Sequence, residues 1–169
     1  MDIKIREIVT MIKVLFVCHG NICRSPVAEF IFKDMVEKEG LSDKVYCESR
    51  ATHTDEIWNG RGSPVYPPMA RLLARHGISC AGKQATLISR TEYDKFDLII
   101  GMDDENMRVL TRKFDGDPEG KVHLLTEYAD KNRDLHIEDP WYTENFEKVY
   151  GQIEEGCEGL IGYIKENLL

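Results

Sequence analysis

The stretch Cys18-His19-Gly20-Asn21-Ile22-Cys23-Arg24-Ser25-Pro26 constrains this chain more than any other, because it joins an apolar, largely β-branched run, Ile12 to Val17, directly to an amphipathic segment that Pro26 can open as a helix. A strand, a tight loop and a helix N-terminus in succession aim consecutive backbone N–H groups and the positive end of a helix dipole at one point. Such a junction attracts an anion before any side chain is counted, and a phosphate suits it. Cys18 opens the loop, and after five intervening residues Arg24 supplies a planar fork that matches two phosphoryl oxygens. A nucleophile therefore faces a captured phosphate. Gly20 and Asn21 tolerate the left-handed backbone that so short a loop requires.

Further strands are expected at Lys44–Ser49, Asp97–Met102 and Lys121–Leu125. Between them, apolar spacing predicts helices from Pro26 to about Glu37 with Gly40 as a stop, from about Pro67 to His76, and from Asp103 to roughly Lys113 with an acidic first turn. The last helix is the clearest, with Phe146, Val149, Tyr150, Ile153, Cys157, Leu160, Ile161 and Ile164 on one face and Thr143 available as its N-cap. Gly151, Gly156, Gly159 and Gly162 each weaken it by roughly 0.8–1 kcal/mol against alanine, so packing must hold it. Arg50 to Pro64 is polar and glycine-rich around Trp58-Asn59-Gly60-Arg61-Gly62 and reads as a long surface loop. The alternation implies a doubly wound α/β parallel sheet, in which ligands bind at the carboxyl ends of the strands near a switch in strand order. The 169 residues contain no linker or repeat, which implies a single domain over residues 12–169. Residues 1–11 form an N-terminal extension with no assigned role, and Met11 could itself be a start.

The 30 acidic against 22 basic residues, a formal charge of −8, oppose general nucleic-acid binding, so positive potential must be local to the loop. No apolar stretch approaches the roughly 20 residues of a membrane span, and the first residues lack a signal-peptide core. Five cysteines without regular spacing argue against a disulfide framework. They fit a reducing, cytoplasmic location in which Cys18 is free to react. No metal or organic cofactor is called for, and Cys18-x4-Cys23 is poor zinc spacing.

Val17-Cys18-His19-Gly20-Asn21-Ile22-Cys23-Arg24-Ser25-Pro26-Val27-Ala28-Glu29 resembles the signature loop of the low-molecular-weight protein-tyrosine phosphatases, and the resemblance extends from about Ile12 to the end of the chain. It implies a flavodoxin-like four-stranded parallel sheet flanked by helices, and hydrolysis of phosphotyrosine in protein substrates through a phosphocysteine on Cys18. Arg24 would bind the phosphate and stabilise the planar transition state. His19, Gly20, Asn21, Ile22 and Cys23 would complete the phosphate-binding loop. Ser25 before Pro26 reads equally well as a plain helix N-cap, whereas the resemblance implies a hydroxyl that stabilises the Cys18 thiolate. It also implies reversible disulfide formation between Cys18 and Cys23.

A departing phenolate calls for a carboxylic acid to protonate it. The candidate is Asp139 in Glu138-Asp139-Pro140-Trp141-Tyr142, where Pro140 holds the preceding residue extended. Trp141 and Tyr142 read as a pocket wall for an aromatic ring rather than a core anchor, and Trp58 with Asn59 looks like the family's opposite wall. One departure stands out. Relatives commonly carry His-x-Ala-Arg where this chain has Lys83-Gln84-Ala85-Thr86. That histidine helps brace the loop asparagine together with a serine that Ser49 matches.

Three rival functions share parts of this pattern. A protein-arginine phosphatase would be expected to carry threonine in place of Ile22. An arsenate reductase needs a downstream cysteine relay, for which Cys80 is the nearest candidate and lacks a partner at short spacing. A phosphotyrosine-binding module would keep Arg24 but has no need of Cys18 or Asp139.

Overall fold

In the computed structural model, which describes residues 10–130 and 136–169, the chain runs β1 (Ile12–Cys18), α1 (Arg24–Lys38), β2 (Val45–Ala51), β3 (Ile57–Trp58), β4 (Arg61–Gly62), α2 (Pro67–Arg75), α3 (Glu92–Lys95), β5 (Leu98–Gly101), α4 (Asp104–Lys113), β6 (Val122–Leu124), a 3₁₀ turn (Leu125–Tyr128), α5 (Pro140–Thr143) and α6 (Phe146–Asn167). Residues 1–9, most of the N-terminal extension, lie outside the described residues.

Four strands form a sheet in the order β2-β1-β5-β6, every neighbouring pair parallel. β1 is an inner strand, and Val14, Leu15, Phe16 and Val17 are all fully buried, which is why its sequence is a continuous apolar run. Alternation splits them between two layers. Val14 and Phe16 join the core under α1, α2 and α6, while Leu15 and Val17 join the one containing Phe96, Leu110 and Phe114. From β1 the chain crosses to β2 on one side and later returns to β5 on the other, so a crevice opens at the carboxyl ends of β1 and β5. The Cys18 loop lies at that switch point.

Local differences from the sequence expectation have identifiable causes. Helix α1 begins at Arg24, two residues before Pro26, whose missing N–H falls in the first turn where no intrahelical partner exists. The segment 50–64 contains a two-stranded hairpin, with Ile57 opposite Gly62 and Trp58 opposite Arg61. It turns at Asn59 and Gly60, with φ of 49° and 74°, the double left-handed pair of a tight hairpin. Thr143 does not cap the last helix. It ends the short α5, Glu144 breaks the chain at φ 60°, and Asn145 is the N-cap of α6.

The glycines of α6 divide by environment. A Cβ on Gly159 would fall 1.7 Å from the Tyr128 carbonyl oxygen and one on Gly156 would fall 2.5 Å from Leu125 Cγ, so these two let the helix seat against the 3₁₀ turn. Gly151 and Gly162 face open space.

Candidate active site

The loop after β1 wraps its backbone around the Cys18 thiol. Asn21 takes φ 57°, the left-handed turn that brings the chain round to α1. The first turn of α1 then directs the Ser25 N–H at Cys18 Sγ, 3.4 Å away. Ser25 Oγ is 3.0 Å from the same sulfur. The cap reading of Ser25 therefore fails, because Ser25 stands inside the helix and Cys23 occupies the N-cap position without a side-chain bond. Since Asn21 Nδ2 donates to Ser25 Oγ at 2.8 Å, the hydroxyl proton is left for the sulfur, or for the Arg50 carbonyl at 3.4 Å. Asn21 and Ser25, 1% and 0% exposed, lie behind the loop and support it; they do not line the cavity in front of it. Burial, and secondarily the neighbouring Cys18, pushes the Cys23 thiol well up, which keeps it protonated beside Cys18.

Beneath Asn21 lies a buried polar cluster. Asn21 Nδ2 also donates to Ser49 Oγ at 2.9 Å, and its Oδ1 accepts from the Thr86 N–H at 3.1 Å. Ser49 Oγ donates in turn to Glu29 Oε1 at 2.7 Å. Lys83 Nζ reaches that same carboxylate oxygen at 3.1 Å and the Ser49 carbonyl at 3.1 Å, while Lys33 Nζ holds Oε2 at 2.7 Å. Lys83 thus braces the loop through Glu29 and Ser49 without a bond to Asn21. Burial pulls the Glu29 carboxyl upward, but Lys83, Lys33 and Ser49 outweigh it and hold the group below its ordinary range. A depressed carboxylate contributes stability that is present above its unfolded pKa and lost as pH falls through the folded one. Lys83→Met should therefore cost roughly 1–3 kcal/mol at neutral pH and shift acid unfolding to higher pH, read as a melting series. An unchanged acid midpoint would show that Lys83 carries no charge balance here.

Arg24, 2% exposed, is fixed from the far side of the crevice. Its Nη1 donates to Asp103 Oδ2 at 2.6 Å and to the Ile137 carbonyl at 2.9 Å, and its Nη2 is 3.6 Å from Asp139 Oδ2. Burial opposes its charge, yet Cys18 and Asp103 leave the guanidinium more firmly protonated than usual. Asp103 follows β5 and also caps α4, accepting from the Asn106 N–H at 2.8 Å. By sequence alone Asp103 belongs to an acidic first turn, and its place directly after a strand at the switch point is the signal that marks it as a site residue. The Ile137 N–H donates to the Met102 carbonyl at 3.0 Å and so seats the segment that leads to Asp139. Asp139 Oδ1 accepts from the Trp141 N–H at 3.0 Å, capping α5.

The cavity in front of Cys18 is bounded by the loop residues His19, Gly20, Ile22, Cys23 and Arg24, by Asp139, Trp141 and Tyr142 on one side, and by Asp55 and Glu56. Trp141 is half exposed and rests on Tyr66, ring centroids 5.0 Å apart. Trp58 is not part of this lining and is 63% exposed. Ile57 packs against the core while Trp58 stays exposed, and the residues of this segment that border the cavity are the two carboxylates Asp55 and Glu56. Cys80 does not line the cavity either, and burial pushes its thiol up.

Comparison with known proteins agrees with this geometry. The sequence profile of the family described as low molecular weight phosphotyrosine protein phosphatase matches residues 13–168. The chain is 39% identical to the low molecular weight protein-tyrosine-phosphatase YfkJ of Bacillus subtilis, over 92% of this chain and 97% of that one. The crystal structure of YfkJ superposes with a TM-score of 0.89, covering 95% of this chain and 98% of its own. A low molecular weight phosphotyrosine protein phosphatase of Gallus gallus is 39% identical over 88% of this chain and 92% of its own. A solved Drosophila arginine phosphatase is also similar, with 32% identity, a TM-score of 0.82, and coverage of 92% and 99%.

Proposed function

The chain belongs to the low molecular weight phosphotyrosine protein phosphatase family and is a protein-tyrosine phosphatase, and from that premise we propose that it acts through a phosphocysteine on Cys18, with Arg24 as phosphate clamp and Asp139 as proton donor. The observation that carries this reading is convergence: Cys18, Arg24 and Asp139 border one cavity, although they come from the ends of different elements. The phosphate enters the N–H cradle and is gripped by Arg24 in two-point fashion. Cys18 sulfur attacks phosphorus as the P–O bond to the phenol breaks, and Asp139 gives its proton to the departing oxygen. Water then attacks the phosphocysteine, Asp139 takes its proton, and inorganic phosphate leaves with the thiolate restored. The Ser25 hydroxyl and N–H support the sulfur's negative charge at both ends of the cycle.

The match over residues 13–168 supports taking residues 12–169 as the catalytic domain. Free cysteines throughout, the nucleophile among them, support work in a reducing cytoplasm. No described helix is long and apolar enough to cross a membrane.

Tyrosine is favoured over arginine as the phosphorylated residue by Ile22. Ile22 borders the cavity and offers no polar side-chain atom to the P–N bond that an arginine phosphatase must organise. Trp141 supplies an aromatic face to the ring of phosphotyrosine. Phosphoserine is too short to reach Cys18 without drawing peptide amides against that wall, where each unpaired group costs roughly 1–3 kcal/mol. The test is kcat/KM for matched peptides. Phosphotyrosine should exceed both phosphoarginine and phosphoserine by about tenfold or more, ~1.4 kcal/mol, with Ile22→Thr narrowing the gap to phosphoarginine. Faster hydrolysis of phosphoarginine by the unaltered protein would overturn the substrate assignment and leave the phosphocysteine chemistry standing.

A further inference from the structure

Two histidines stack at the rim of the active site. The rings of His19 and His53 are 4.1 Å apart between centroids with planes 13° from parallel. Their backbones are tied as well, the His53 N–H donating to the His19 carbonyl at 3.1 Å. His19 Nδ1 is 3.1 Å from Glu105 Oε1, and its other nitrogen, Nε2, is bonded to Asp55. His53 Nδ1 is 2.7 Å from Thr52 Oγ1, which leaves Nε2 as its open nitrogen. Ligating atoms of His19, His53 and Glu105 all lie within 4.8 Å of one another. Phosphate capture requires neither His53 nor Glu105, and neither borders the cavity.

We propose that His19, His53 and Glu105 form a site for a divalent transition metal of the zinc class on the rim of the active site. Two imidazoles and one carboxylate are the donor set that such an ion prefers over magnesium or calcium, with water in the fourth position. The outer contacts match as well. A metal-bound imidazole characteristically gives its second nitrogen to a carboxylate or another oxygen, which fixes the ring and its tautomer. Asp55 does this for His19 and Thr52 does it for His53.

With metal–donor bonds of about 2.0–2.2 Å, tetrahedral ligands stand roughly 3.4 Å apart. His19 and Glu105 are already that close. His53 must turn out of the stack to reach the ion, since parallel rings send their lone pairs along parallel planes, and the Thr52 hydroxyl, which rotates about its own bond, must follow the ring. The assignment does not depend on the phosphatase reading.

The test is calorimetric titration of the full chain with zinc, repeated on Cys18→Ser to separate a thiolate site from the histidine site. One equivalent should bind to both. His53→Ala, Glu105→Gln and Asp55→Asn should each weaken binding about tenfold or more, with unchanged circular dichroism. Cobalt bound in place of zinc should show no thiolate charge-transfer band. Loss of binding in Cys18→Ser with full binding in His53→Ala, a thiolate band with cobalt, or no saturable binding at all would each overturn the proposal.

Discussion

Cys18→Ser should lower phosphotyrosine turnover by about 10⁵-fold or more, the scale on which loss of a covalent nucleophile acts, while inorganic phosphate still binds, and binds no more weakly. A serine hydroxyl is a far weaker nucleophile than a cysteine sulfur, so no phosphoenzyme forms at a comparable rate. The N–H cradle and Arg24 remain. Arg24→Lys should lose roughly 10³-fold in rate and bind phosphate poorly as well, for a reason that lies in the structure. One face of the guanidinium is committed to Asp103 at 2.6 Å and to the Ile137 carbonyl at 2.9 Å, which aims the rest of the planar group at the loop. An ammonium is a point charge and cannot hold the aspartate and present two parallel donors to phosphate at once. Single-turnover kinetics together with phosphate titration separates the two effects. Substantial turnover by Cys18→Ser, or phosphate binding by Arg24→Lys equal to that of the unaltered protein, would refute the assigned roles.

Asp139→Asn should reduce the rate on phosphotyrosine by about 10²–10⁴-fold and much less on an aryl phosphate whose phenolate leaves without protonation. The substitution is unusually clean here. Asp139 caps α5 through an oxygen that accepts from the Trp141 N–H at 3.0 Å, and asparagine can accept that bond equally well. The loop position is kept and only the acid is removed. Equal losses on both substrates would assign Asp139 to holding Trp141 in place instead of to proton transfer.

What the sequence determined by itself is local. Residues that touch because they are neighbours in the chain carry their signal in order: an apolar run for a strand buried on both faces, a cysteine at its end, an asparagine able to sit at φ 57°, an arginine at the opening of a helix. The parallel α/β class follows from the same kind of signal, because burial on both faces marks the inner strands β1 and β5 as continuous apolar runs, while the edge strand β2 alternates. Ser25 shows the limit. Its place before Pro26 fits a cap as well as a thiolate partner, and only the path of the loop, with Cys18 Sγ 3.0 Å away, decides between them.

The tertiary structure alone decided what charge faces what. Asp103 meets Arg24 across 79 residues because β5 lies beside β1 and both strands end at one crevice. Lys83 is held beneath the loop because Glu29 of α1 supplies the acceptor that balances its charge. Asp55 and Glu56 border the cavity and Trp58 does not, because the path of the chain into the hairpin, and not the residue types, sets which side chains reach the Cys18 loop. Each of these pairings is settled by strand order and packing between distant segments. A buried charge must find its partner in space, and the spacing of residues along the chain carries no record of that distance.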